Sequence, residues 1–128
     1  MIPDDVKYSR EHEWVRMEGE VATIGITDHA QQELGDLVFV ELPAVGDPVE
    51  AGKPMGTVES VKAVSEVFSP LSGRIVERNE KLIDHPEQLN EDPHGEGWLV
   101  RISCPGGAEP TGLMNAAEYQ AFLDSGAD

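Results

Sequence analysis

From Trp14 to Ile102 the apolar residues come in short alternating or continuous runs, each ended within a few residues by Gly or Pro. Period-two alternation buries one face of an extended segment and solvates the other, and frequent breakers keep each run short. The pattern therefore predicts an all-β sandwich or flattened barrel. Strands are expected at Trp14 to Met17, Val21 to Ile26, Leu37 to Leu42, Met55 to Glu59, Ala63 to Phe68, Gly73 to Arg78 and Trp98 to Ile102. Breaks are expected at Gly19, Pro43 through Gly46, Ala51 through Pro54, Ser69 through Ser72 and Asp92 through Gly97.

Two segments carry helix signals instead. Asp28 stands as an N-cap with Gln31 three residues on, Ala30 and Leu34 share a face, and Gly35 supplies the stop, which predicts a short helix near 28–34. Asn115 with Glu118 at the capping-box position opens a second, near 116–124. It places Tyr119, Phe122 and Leu123 on one stripe that should lie across the sandwich. Between Ser103 and Met114, Pro105, Gly106, Gly107, Pro110 and Gly112 predict a loop.

Length and charge narrow the functional classes. A chain of 128 residues suits one domain spanning 1–128, with its β core at about 21–103. Nine Lys plus Arg against 25 Asp plus Glu give a formal charge of -16, which repels a phosphate backbone and argues against nucleic acid. The same charge favours solubility and steers the chain toward basic faces on partners. No apolar run reaches the roughly 20 residues that cross a bilayer, and Met-Ile-Pro-Asp-Asp-Val lacks the features of a signal peptide. A cytoplasmic protein, bacterial and monomeric, without membrane contact, is the expectation. Cys104 is the only cysteine, so no internal disulfide forms and thiolate metal sites lack their ligands.

Catalytic signatures are scarce. His12, His29, His85 and His94 form no His-Glu-x-x-His or related pairing, and no metal site is expected; His29 and Glu33 read as a solvated pair on one helix face. Gly-x-Ser-x-Gly, Walker and Gly-x-Gly-x-x-Gly motifs are absent. With so many carboxylates, a pair of them identifies no acid and base. What stands out is Glu59-Ser60-Val61-Lys62-Ala63-Val64-Ser65-Glu66, one lysine in an acidic, small and β-branched stretch. Neither phase of alternation from Thr57 to Phe68 keeps a clean apolar face, which permits a fold-back near Lys62 although no Asn-Gly or Asp-Gly marks a turn. From composition alone Lys62 would be an ordinary surface lysine.

The segment Val58-Glu-Ser-Val-Lys-Ala-Val-Ser-Glu-Val-Phe-Ser-Pro-Leu-Ser-Gly73 resembles the lipoylation segment of glycine cleavage H proteins, with the modified lysine at Lys62. Tyr8 to Val15, Ala22 to Gly35, Val38 to Pro43, Asn90 to Leu99 and Ala116 to Tyr119 resemble other blocks of that family in order and spacing, so the likeness spans nearly the whole chain. The region Gly106 to Met114 departs from it, being richer in Gly and Pro than the helical stretch common in relatives.

The resemblance implies a mainly β, lipoyl-domain-like fold, a hybrid of flattened barrel and sandwich, with the lysine at a hairpin tip. It implies lipoate bound covalently to Lys62, with Glu59 and Gly73 helping a lipoate ligase or lipoyl transferase recognise the hairpin. Glu13 and Glu66 would offer carboxylates to the loaded arm in a cleft. The implied role is a carrier and not an enzyme. It shuttles the aminomethyl group of glycine from the pyridoxal phosphate (PLP) dependent glycine decarboxylase to the tetrahydrofolate-dependent aminomethyltransferase, and is reoxidised by the FAD enzyme dihydrolipoamide dehydrogenase. An H-like lipoyl donor or relay acting outside glycine cleavage is the alternative. A biotin carrier would show Met-Lys-Met and a 2-oxo acid dehydrogenase lipoyl domain Asp-Lys-Ala, where this chain has Val61-Lys62-Ala63. An acidic interaction module with a silent Lys62 is a third class.

Overall fold

The computed structural model describes residues 2–105 and 112–126. Their strands are β1 (Lys7–Tyr8), β2 (Glu13–Glu18), β3 (Val21–Ile26), β4 (Leu37–Glu41), β5 (Pro48–Val49), β6 (Pro54–Ser60), β7 (Val64–Phe68), β8 (Gly73–Arg78) and β9 (Val100–Ser103). Helices are α1 (Asp28–Leu34), α2 (Glu80–Asp84), α3 (Gln88–Glu91) and α4 (Ala116–Asp124). A six-stranded sheet runs β1-β2-β3-β9-β8-β5 and a three-stranded sheet runs β4-β6-β7, with every pairing antiparallel. The mainly β, two-sheet architecture expected from the alternation is what forms.

Side-chain alternation is the cause of the packing. On β8 Ile75 is buried while Arg74 and Val76 are exposed, and on β9 Val100 and Ile102 are fully buried around a half-exposed Arg101. Val40, Val58 and Val67 of the small sheet meet Val15, Ile24, Ile75 and Ile102 of the large one in one cluster. Each such side chain contributes about 1.5–3 kcal/mol by leaving water.

A second cluster unites Val6, Tyr8, Trp14, Met114 and Tyr119, with Phe122 and Leu123 against it. The α4 stripe foreseen from the sequence therefore packs beside β1, where Tyr8 and Tyr119 stack at 4.5 Å. Its capping box is complete: Glu118 N–H donates to Asn115 Oδ1 and Asn115 N–H to Glu118 Oε1, both at 2.8 Å.

Several boundaries differ from expectation. The N-cap of α1 is Thr27 and not Asp28, because Thr27 has the extended backbone a cap needs and its hydroxyl accepts the Ala30 N–H; Asp28 becomes the first helical residue. Ala63 belongs to a turn rather than a strand, and the last strand starts at Val100 because Leu99 and Trp98 follow the preceding turns. Strands β1 and β5 and helices α2 and α3 were not foreseen. Two-residue strands have no period, and α2 and α3 each bury one leucine, Leu82 and Leu89, too little to print a helical repeat. The predicted loop from 103 to 114 falls largely on 106–111, outside the described residues.

Candidate functional site

Strands β6 and β7 pair down to Glu59 opposite Val64, and Ser60 N–H donates to the Ala63 carbonyl at 2.8 Å, leaving Val61 and Lys62 as the tip. Tight two-residue turns ordinarily want Gly or Asn. Here the Ser60 hydroxyl accepts the N–H groups of Lys62 at 3.3 Å and Ala63 at 3.0 Å, closing the turn with a side chain. Val61 is 73% exposed and Lys62 is exposed too.

The tip rests on the end of α1. Val61 N–H donates to the Asp36 carbonyl at 3.2 Å, and Leu37 stands opposite Ser60. Gly35 ends α1 at φ 84°, a left-handed conformation that suits glycine. The lysine stem passes over it, since a Cβ added there would stand 3.5 Å from Lys62 Cε.

The outward face of the small sheet is apolar at its centre and acidic around it. Phe39, Glu59 and Val64 lie in one cross-strand row and Glu41, Thr57 and Glu66 in the next. Phe39 is 49% and Val64 65% exposed, and Glu41, Glu59 and Glu66 are exposed as well. Glu59 thus shares the lysine's hairpin and faces solvent. Gly73 lies elsewhere, at the start of β8 opposite Val49 in the large sheet. A Cβ there would overlap the Ser103 carbonyl oxygen and stand 2.6 Å from Ile102 Cγ2, so packing alone accounts for its size.

Glu13 is buried, 2% exposed. Its Oε1 accepts the Ser9 hydroxyl at 2.6 Å, and Oε2 accepts the Phe68 N–H at 3.4 Å, joining the start of β2 to the end of β7. Desolvation outweighs these bonds and pushes its carboxyl up to about 7. Beside it an open cleft of about 240 Å³ is lined by residues including Glu11, His12, His29, Glu33 and Ser65. Glu13 and Glu66 are sequence neighbours of the lining residues His12 and Ser65, one buried behind and one on the outer face. The His12 and His29 rings lie 4.7 Å apart, and His29 Nε2 is 3.7 Å from Glu33 Oε1, so the solvated pair read from spacing is half of a larger cluster.

Tyr119, which spacing places on the α4 stripe, and Asn90, which spacing does not single out, hold this region together. The Tyr119 hydroxyl meets His12 Nδ1 at 2.7 Å and Thr27 Oγ1 at 2.8 Å, tying α4 to the N-cap of α1 and to the cleft wall. Asn90 does the same for the other end of α1, through Leu37, Gln31 and Gly35. Ser60 lies just before the tip and is the most accessible of these to a sequence reading; the α4 stripe marks Tyr119 as a packing residue but not its hydroxyl contacts, and nothing local marks Asn90.

Two antiparallel sheets with a solvent-exposed lysine at the tip of a tight hairpin define a lipoyl-domain-like protein. A model of the glycine cleavage H-protein family matches residues 6–126, and the chain belongs to that family. It is 55% identical to the glycine cleavage system H protein of Herpetosiphon aurantiacus, over 99% of this chain and 97% of that one. It is 56% identical to the protein of the same name from Rubrobacter xylanophilus, over 96% and 95%. The crystal structure of a glycine cleavage system H protein from Mycobacterium marinum superposes with a TM-score of 0.87 at 40% identity, covering 96% of this chain and 99% of that one. Among the described residues no helix is long and apolar enough to cross a membrane.

Proposed function

We propose that this chain is the lipoyl-bearing carrier of a glycine cleavage system, with lipoate held as an amide on Lys62 Nζ. It moves the aminomethyl group of glycine from a PLP-dependent decarboxylase to a folate-dependent aminomethyltransferase, and dihydrolipoamide dehydrogenase restores it. The observation that carries the reading is the lone lysine at an exposed hairpin tip in a chain of this family. Bound there, a lipoyl group supplies a strained disulfide that accepts a one-carbon unit and two electrons and later gives both up.

The protein's own residues suit that cargo. Lys62 is exposed, and its stem passes over Gly35, where no side chain obstructs it. Acylation of Nζ removes the lysine charge. Glu59 offers a carboxylate on the same hairpin to a basic ligase or transferase. Gly73 would contribute to recognition through the close sheet packing it permits, which sets where the hairpin stands. Glu13, buried behind the α1 cleft, and Glu66, on the outer face beside the lining residue Ser65, are the carboxylates we assign to the amine of the loaded arm. The acidic face around Phe39 and Val64 favours partners with basic docking surfaces.

The test is reconstitution with purified decarboxylase, aminomethyltransferase, dihydrolipoamide dehydrogenase and lipoate ligase. Wild-type chain should support glycine-dependent reduction of NAD, and Lys62→Arg should abolish it while unfolding within about 0.5 kcal/mol of wild type. Retained turnover in Lys62→Arg sinks the reading. Lipoylation of Lys62 without glycine turnover, accompanied by transfer of its lipoyl group to other enzymes, would instead select the relay.

A further inference from the structure

The hairpin that presents Lys62 is itself steadied from beneath, by a residue on a different element. Its tip meets the body of the protein through Val61 N–H on the Asp36 carbonyl, so the orientation of the tip depends on how firmly 35–37 is held. That segment has a difficult position. It connects α1, which ends at Gly35 through a hydrogen bond to the Gln31 carbonyl, to β4, an edge strand whose sheet neighbour is β6 alone. Backbone groups on the outer side of an edge have no ladder partner and need another.

Asn90, on α3, supplies it. Its Oδ1 accepts the Leu37 N–H at 2.9 Å, and its Nδ2 donates to the Gly35 carbonyl and to Gln31 Oε1, each at 2.9 Å. One carboxamide presents an acceptor and two donors in a plane, and this one uses all three. The bonded groups at Gly35 and Leu37 flank Asp36, whose carbonyl receives the tip. Asn90 therefore does for this segment what one residue of a neighbouring strand would do. It is in turn fixed by the fully buried Leu89 beside it and by its own N–H on the Glu87 carbonyl at 3.0 Å.

No close substitute has this capacity. Aspartate keeps the shape and the acceptor for Leu37, but loses both donors and sets a carboxylate oxygen against two other oxygens. Glutamine is longer by a methylene and alanine makes none of the bonds.

We propose that Asn90 is a positioning residue for Lys62, locking the 35–37 platform so that the lysine is offered to its acylating enzyme in one orientation. This rests on the reading of Lys62 as the acylated lysine. Without the lock the hairpin samples several orientations, and only the productive fraction is bound. The Michaelis constant for the carrier then rises by the inverse of that fraction, while turnover within the bound complex is unchanged.

The experiment uses the full chain, lipoate, ATP and a lipoate ligase, with peptide mapping of the product and amide hydrogen exchange followed by NMR. Asn90→Asp should raise KM for the carrier about tenfold with kcat within about twofold, and speed exchange at Val61 and Leu37 about tenfold or more. Val6→Ala, a loss of core volume in the second cluster away from the tip, should lower stability and leave both readouts at wild-type values. Unchanged KM and exchange in folded Asn90→Asp, or the same KM rise in Val6→Ala, overturns the proposal. If Asn90→Asp does not fold, the wild-type carboxamide decides. Its Nδ2 protons should be protected from exchange, and rates like those of an exposed asparagine overturn the assignment. Failure of the Lys62 reading shows separately, as a wild-type chain that the ligase does not acylate at that position.

Discussion

Replacing Glu13 by glutamine should make the protein's stability less sensitive to pH, in a direction opposite to that of most structural carboxylates. Glu13 is buried and its carboxyl is raised from an ordinary 4.5 to about 7. Between those values the native state keeps a proton that the unfolded chain has released, so the native state binds more protons and stability falls as pH rises. At about 1.4 kcal/mol per pH unit the whole span is worth roughly 3 kcal/mol, with the full stability present below pH ~4.5 and lost by the time pH passes ~7. Glutamine is close to the protonated acid in shape and does not titrate. Its amide offers one acceptor oxygen where the carboxyl has two oxygens, so the Ser9 hydroxyl and the Phe68 N–H are matched differently, which shifts the variant's curve vertically without tilting it. The assay is urea unfolding of both proteins at intervals from pH 4 to 8 and constant ionic strength, with the difference in unfolding free energy plotted against pH. The other acidic groups are shared and cancel in that difference. Wild type should lose roughly 3 kcal/mol relative to Glu13→Gln across the range. A difference that is flat, or that moves in favour of wild type as pH rises, refutes the reasoning.

Three further substitutions follow from the geometry. Gly73→Ala should cost about 1–3 kcal/mol in chemical denaturation, because its Cβ overlaps the Ser103 carbonyl between paired strands. Tyr119→Phe removes the hydroxyl that meets His12 and Thr27, and should cost about 1–3 kcal/mol while shifting the His12 imidazole signals in NMR. Ser60→Ala should leave global stability within about 1.5 kcal/mol of wild type, yet speed exchange at the Lys62 and Ala63 amides, whose shared acceptor is gone.

The parts of the fold legible in the chain are those whose cause is local. Alternation around Ile75 and Ile102 buries one face and leaves the other in solvent, so β8 and β9 announce themselves, while β3, buried along both faces, shows as a short mostly apolar run between breakers. The Asn115 and Glu118 pair specifies the start of α4 with side chains three residues apart. Thr27 and Asp28 are both good caps by residue type, and only the backbone angle decides for Thr27. The hairpin at Lys62 was permitted by broken alternation, but its closure by the Ser60 hydroxyl is a hydrogen-bond geometry that residue types alone do not specify. Asn90 and the hydroxyl contacts of Tyr119 are illegible for a different reason: their partners at Leu37, Gly35, His12 and Thr27 are distant in sequence, and nothing beside either residue foretells them.

The resemblance assigns Glu13 and Glu66 to an arm cleft, and Glu13 is buried behind the α1 cleft. Burial pushes its carboxyl up to about 7 and Oε2 accepts the Phe68 N–H of β7, while Glu66 stays on the outer face. The two differ in solvation, and with it in the cost of meeting an amine.

The central claim is that Lys62 carries the cofactor, and the most direct measurement is intact mass with peptide mapping on protein purified from its native host. A lipoylated Lys62 gives a mass increase of one lipoyl group, located on the peptide that contains that residue. An unmodified Lys62 in that protein, refused also by a competent lipoate ligase in vitro, would contradict it.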